Sequence, residues 1–436
     1  MAYEIDTSKL LIVVVVYLAF LLDNILLTVV VPIIPDYLFA TNAIVNNSET
    51  SNNSIAPKSL SQLQLRFEQL EKEYGPVGVL LSSKALVQLV ANPVVGYLTG
   101  ILGYNIPLVV GSTNLLVACL LFAYGQSYMC LLVARSLHGI ASACVAVSGM
   151  SLVAELYQSS TRSRFMGLIL GSVALGVLFG YPMGGVLYDF VGKTAPFIVI
   201  AVLMSMCIVL QICFLDITFP PRQLINKLPS YTSTSDGWRE LLTDPPVTII
   251  SGAIWISTTA MAVLEPCLPL WMMVNMNPTP EKWQLGTVFI PDSLGYLLGT
   301  NCTGILLGNM KRWKLGLVSM LLVGVCSTLI PGASTVKQLI IPHFGLGLGI
   351  GILDASLVPL LANIVDSKHS SQYGAVYALQ QVAVSMAYSL GPLLGGETIK
   401  VIGFPWLMRL IGIINIIYCP MLLILSKDEE RELVTT

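Results

Sequence analysis

The chain has 436 residues, 55% hydrophobic and only 11% charged, with 22 Lys and Arg, 24 Asp and Glu and a net charge of -2. Soluble domains carry about 25% charged residues, so this composition, with a mean hydropathy of +0.79, excludes a soluble or disordered chain and indicates a polytopic membrane protein. The lack of a basic field excludes a nucleic-acid partner.

A bilayer-spanning helix needs about 20 apolar residues. Twelve segments qualify, at 10–36, 76–100, 106–126, 128–156, 163–188, 195–215, 247–275, 284–308, 315–334, 338–365, 373–400 and 404–425. The first is too long for a signal peptide and no small-residue cleavage site follows it. Between the first two lies a polar loop, 37–75, with the glycosylation sequons of Asn46 and Asn52. A second long connection, 216–246, holds Pro220, Pro221, Ser, Thr and mixed charges. It divides the chain into an N-terminal six-helix half (1–215) and a C-terminal one (247–425), followed by the tail 426–436. With the N-terminus in the cytosol, twelve Lys and Arg fall on the cytosolic side and seven on the other. That excess predicts cytosolic termini and a cytosolic linker, and it places loop 37–75 in the lumen, where its sequons can be used.

The halves carry a repeat. Gly180-Tyr181-Pro182-Met183-Gly184-Gly185 ends span five, and Gly391-Pro392-Leu393-Leu394-Gly395-Gly396 ends span eleven, 211 residues on. The expected fold is an all-α membrane protein of twelve transmembrane helices in two pseudo-symmetric halves, an organisation that resembles the major facilitator superfamily. The glycines Gly171, Gly176, Gly180, Gly184 and Gly185 are expected to let helices approach closely between the halves.

Nine cysteines sit in apolar stretches without a CxxC pair, and His138, His343 and His369 are scattered. They read as small buried hydrophobes and isolated histidines rather than a metal site or a disulfide framework. No nucleophile and base, metal set or phosphate loop marks an enzyme. No cofactor is expected beyond a driving proton gradient.

Charges inside spans are costly and mark function. Asp23, Arg135, Glu265 and Asp354 lie in spans one, four, seven and ten, and Lys84 in span two. A structural ion pair accounts for one buried acid more readily than for three on the spans that surround a two-half transporter's cavity. Three acids favour a cationic substrate. A carboxylate that takes either a proton or an ammonium couples the two flows by competition. Phe20, Trp271, Tyr296 and Tyr388 lie near these acids in sequence and can hold an amine through ring contacts, although ordinary helix packing is the better explanation of each taken singly.

Several strings resemble the vesicular monoamine transporter family: Leu21-Leu22-Asp23-Asn24, Ser83-Lys84-Ala85, Ala134-Arg135-Ser136-Leu137, Leu264-Glu265-Pro266, Lys282-Trp283-Gln284-Leu285-Gly286 and Gly403-Phe404-Pro405-Trp406-Leu407-Met408. The vesicular acetylcholine transporters are the nearest relatives of that family. The resemblance implies a proton-coupled antiporter that loads cytosolic monoamines into acidic secretory or synaptic vesicles by alternating access. The alternatives are a vesicular carrier of acetylcholine or another organic cation, and a non-transporting amine-binding membrane protein. It implies that Asp23, Asn24, Glu265, Tyr296 and Tyr388 bind the amine, and that Asp354, with Glu265 and Asp23, couples protons. Lys84, Arg135, Gln381 and Trp271 would form the charge network and gate of a monomeric carrier.

The chain departs from the family's pattern in four places. Gln381 stands where the family has an Asp, the expected ionic partner of Lys84, so Gln381→Asp is expected to restore that pair. The loop cysteines behind the family's lumenal disulfide are missing. The Asp-Arg part of the motif after span two is absent from Gly96–Gly103. Asp292 is an additional acid near the start of span eight.

Overall fold

The computed structural model describes residues 7–49, 60–157, 159–216, 240–276, 284, 287–306, 310–368 and 373–426. Twelve long helices stand among them. They are α1 (Thr7–Glu49), α2 (Leu60–Leu102), α3 (Asn105–Tyr124), α4 (Tyr128–Leu156), α5 (Ser159–Val191) and α6 (Thr194–Phe214) in the first half. In the second half follow α7 (Pro245–Asn275), α8 (Ile290–Leu306), α9 (Arg312–Leu329), α10 (Val336–Lys368), α11 (Tyr373–Ile402) and α12 (Phe404–Tyr418). Ten contain stretches long and apolar enough to cross a membrane. Large apolar side chains such as Val90, Phe179, Met206, Val209 and Ile417 face outward, as a surface solvated by lipid requires.

Each expected span coincides with one helix, but the expected loop 37–75 does not persist as a loop. The backbone of α1 stays helical to Glu49, and α2 begins at Leu60. Hydropathy marks where a helix can enter lipid, not where it ends. Residues 60–74 are rich in Leu, Gln and Glu and contain no Pro, so their helix propensity is high. Asn46 therefore lies on the helical extension of α1, whereas Asn52 lies outside the described residues. Most of the expected linker and all but the first residue of the expected tail also lie outside them.

The repeat has a structural counterpart at the same offset of 211 residues. Gly192, between α5 and α6, has φ of 108°, and Gly403, between α11 and α12, has φ of 78°. That left-handed region is open to glycine and closed to most side chains. Upstream of each turn the repeated glycines seat the helix on the first helix of its own half. A Cβ on Gly180 would meet Thr28 and Ile25 of α1, and one on Gly391 would meet Ala262 of α7. Gly184 rests on Val29, and Gly395 on Val263.

This corrects the expected role of the glycine motif. Gly176, Gly180 and Gly184 close the α1–α5 seam inside one half, and Gly185 faces open space. Only the earlier glycines of α5, Gly167 and Gly171, meet the other half, at Thr300 and Asn301 of α8. The halves also join through α2 against α11 and through α5 against α10.

Candidate functional site

Asp23 lies on α1 between Leu22 and Asn24 and is buried. Its Oδ1 accepts a hydrogen bond from Ser142 Oγ at 2.5 Å and is 3.1 Å from His138 Nε2. His138 and Ser142 are four apart on α4 and so share one face of that helix. Oδ2 takes no hydrogen bond from a described residue, which leaves one oxygen for an external cation. Asn24 turns its amide back to the Phe20 carbonyl at 2.9 Å, and its Cβ side meets Gly176. Phe20 packs over Gly149 of α4.

Two cations accompany Asp23. Lys84 interacts electrostatically with Asp23, Arg135 and Glu265. Its backbone carbonyl abuts Gly139, which explains how a lysine on α2 reaches the face of α4 that carries His138. Arg135 is 3% exposed, and its Nε and Nη1 have no partner among the described residues. Its electrostatic neighbours are Glu265, Tyr181 and Asp23. An unsatisfied buried guanidinium is costly, so these nitrogens call for an acceptor such as water.

The second half holds its acids differently. Glu265 accepts from the Tyr181 hydroxyl at 2.6 Å, and Asp354 accepts from the Tyr296 hydroxyl at 2.8 Å. Asp354 Oδ1 is buried without a partner among the described residues. Tyr388 stands in the field of Glu265, Asp292 and Asp354, so it belongs to this cluster. Trp271 does not: it packs on Phe404, with ring centroids 5.0 Å apart, in the apolar core of the second half.

Gln381 is also separated from Lys84. Asn92 Nδ2 donates to Ser385 Oγ at 3.1 Å, and Gly374 abuts Thr99, so α2 and α11 run antiparallel. From the Asn92–Ser385 contact, Lys84 and Gln381 lie in opposite directions, about 18 Å apart along the axis at 1.5 Å per residue. Gln381 Nε2 instead donates to Gln380 Oε1 at 3.0 Å. In this conformation an Asp at 381 does not meet Lys84, and the expected restored pair is corrected on that geometry.

Sequence reasoning missed a contact between the halves. Arg162, which falls outside the expected spans, is a fully covered side chain of α5. Its Nη1 donates to Asp366 Oδ2 at 2.7 Å and to Asn363 Oδ1 at 3.3 Å. Its Nη2 donates to the Tyr373 hydroxyl at 3.3 Å, and its guanidinium lies 5.4 Å from that ring's centroid. Tyr373 in turn donates to Asp366. One turn deeper, the Tyr377 hydroxyl meets Met166 Sδ at 3.5 Å. This arrangement clasps α5 to α10 and α11 at one end of the bundle. Positional charge counting could not distinguish it from a solvated loop. His138 and Tyr181 were missed for a similar reason: each becomes informative only beside the acid it touches.

Buried acids and cations at the junction of two six-helix halves define a polytopic carrier of charged solutes. Residues 13–369 and 250–436 match the Major Facilitator Superfamily. The human organic anion transporter MFSD10 (TETRAN) shares the fold at a TM-score of 0.74 and 16% identity, over 95% of this chain and 99% of that one. The human synaptic vesicular amine transporter is 40% identical over 98% of this chain and 90% of its own. The rat chromaffin granule amine transporter is 38% identical over the same shares. The vesicular acetylcholine transporter of Torpedo marmorata is 36% identical over 96% of this chain and 82% of its own. The chain belongs to the vesicular amine transporter family of this superfamily. It is a membrane transporter, not an enzyme.

Proposed function

We propose that the protein exchanges protons for protonated monoamines, loading cytosolic amines into an acidic vesicle. The observation that carries this reading is the division of buried carboxylates between the halves. Asp23 sits on one side with a free oxygen, and Glu265 and Asp354 sit on the other under tyrosine hydroxyls. A substrate ammonium pairs with Asp23, and Glu265 with Tyr388 completes the pocket. Asp354 carries the proton whose release accompanies the return step. The Arg162–Asp366–Tyr373 clasp holds one end shut while the other is open, and it parts when the halves rock. The Lys and Arg distribution supports cytosolic termini, which puts the clasp on the cytosolic side and Asn46 and Asn52 on the lumenal side as glycosylation sites. The carrier needs no cofactor and acts as a monomer.

Uptake of a labelled monoamine into acidified vesicles tests the reading. A protonophore and Asp354→Asn should each abolish accumulation, and Asp354→Asn should leave equilibrium amine binding within about threefold of wild type, because it removes a proton site rather than the Asp23 contact. Accumulation indifferent to both would refute proton coupling. In a competition panel, monoamines should displace the label and choline esters should not. The reverse order would assign the chain to the acetylcholine branch.

A further inference from the structure

The first turn of α8 carries a buried acid that the proposed exchange does not use. Asp292 is 7% exposed, and its Oδ1 has no partner among the described residues. It forms no ion pair within 4 Å there, and its one charged electrostatic neighbour is another acid, Glu265. Gly347 of α10 makes the room for it. A Cβ at Gly347 would lie 2.0 Å from the Asp292 carbonyl oxygen and 2.8 Å from its Oδ1.

One helical turn before Gly347, on the same face of α10, stands His343. It is 0% exposed, and neither ring nitrogen has a hydrogen-bond partner among the described residues. The Val288 backbone is its polar neighbour, outside hydrogen-bond geometry. The Phe289 ring covers it at 5.9 Å. Two buried ionisable groups on facing helices, each unsatisfied, are costly alone. Neither is hydrogen-bonded to the other, and a water between α8 and α10 that joined them would satisfy both. Chains of Asp, Glu and His inside a membrane are the usual material of proton relays.

The same pair of helices leads inward. Tyr296 is one turn after Asp292 on α8, within its electrostatic reach, and its hydroxyl is already hydrogen-bonded to Asp354. Along α10, Asp354 stands about 16 Å from His343 and about 18 Å from Asp366 of the clasp, at 1.5 Å per residue. His343 and Asp292 thus lie toward the end of α10 opposite the clasp, and Asp354 is midway. The other titratable groups around this line are Glu265 on α7, Tyr181 on α5, Tyr388 on α11 and Cys326 on α9.

We infer that His343 and Asp292 form a proton relay that feeds Asp354 through Tyr296 from the end of the bundle opposite the Arg162 clasp. A proton taken by the imidazole passes to the Asp292 carboxylate. Tyr296 then gives its phenolic proton to Asp354 as it receives the one from Asp292, with water carrying any remaining gap. The net change is a carboxylic acid at Asp354, a carboxylate at Asp292 and an unchanged tyrosine. The relay rests on the proton exchange proposed above, and it assigns a task to two residues that contact no substrate.

The test compares Asp292→Asn, His343→Gln and the double variant in vesicles by three readings: equilibrium amine binding, amine-for-amine exchange without a proton gradient, and gradient-driven uptake across lumenal pH. In each variant, binding and exchange should stay near wild type while gradient-driven uptake falls about tenfold or more, in the range of a lost proton-transfer group. The uptake remaining should require a more acidic lumen. The double variant should be no worse than the more impaired single one, because both interrupt one path. Wild-type gradient-driven uptake in the double variant would overturn the relay and leave the exchange proposal standing. An equal fall in exchange and gradient-driven uptake would also overturn it, since the two residues would then be structural. Absence of gradient-driven uptake in the wild-type protein would instead refute the exchange itself. If Asp292→Asn fails to fold, His343→Gln carries the same comparison.

Discussion

The two halves share a helix plan but treat buried charge in opposite ways. In the first half Asp23 is surrounded by Ser142, His138, Lys84 and Arg135. In the second, Glu265, Asp292 and Asp354 meet tyrosine hydroxyls or nothing, and no described cation of that half pairs with them. An acid among cations is set up to stay charged and to receive a competing ammonium. Asp292 and Asp354 have no cation beside them among the described residues, whereas Glu265 shares Lys84 and Arg135 with Asp23. The repeat therefore supplies one scaffold twice, and the chemistry has diverged upon it.

The largest way to break this contrast is at Asp23. Asp23→Asn should weaken amine binding about 100-fold, on the order of 3 kcal/mol, because it removes the substrate's acid and leaves Lys84 and Arg135 only Glu265. Asp354→Asn, measured beside it, should spare binding. If the two variants lose binding equally, the halves do not divide the work as described. The next effect is on stability. Gly180→Ala places a Cβ against Thr28 and the Ile25 carbonyl. It should cost about 1–3 kcal/mol as overpacking does, read as a lower melting midpoint in detergent. Gly185→Ala, which meets nothing within 4 Å, should leave the midpoint unchanged.

A smaller change tests the clasp between the halves. Asp366→Asn removes a partly exposed ion pair but keeps the Asn363 and Tyr373 contacts, so it should shift the open-to-closed balance by about 1 kcal/mol. The measurement is thiol labelling of a cysteine introduced beside Tyr373, faster in the variant by a few-fold. The smallest effect sharpens the register. In a double-mutant cycle Gln381→Asp and Lys84→Ala should be additive within about 0.5 kcal/mol, as distant sites are. A larger coupling would place these side chains in contact in some state of the transport cycle.

Much of the site is legible in the sequence. Asp23, Lys84, Arg135, Glu265 and Asp354 stand out because ionisable residues are rare inside apolar spans. Tyr388 and Tyr296 do fall beside the acids, whereas Trp271 packs in the core with Phe404. A tryptophan near a buried acid in sequence can face either way on its helix. Arg162 looks like a loop cation in the sequence because its partners come from α10 and α11, some 200 residues away. Asp292 stands out in the sequence as an extra charge, but its seat against Gly347, one turn from His343 on α10, does not, since the two sit on different helices.

The amino-acid sequence by itself determined the twelve apolar helices, the two halves and their 211-residue repeat, because hydropathy and glycine spacing are local properties of the chain. It also named most of the charges that matter, since lipid makes every buried charge conspicuous. Only the tertiary structure decided which charges meet, that Lys84 and Gln381 do not, that the glycines of α5 seal one half rather than join two, and that Arg162 bridges them. Those outcomes depend on helix register and facing direction, where a shift of one residue turns a side chain by about 100°, and hydropathy carries no record of that rotation.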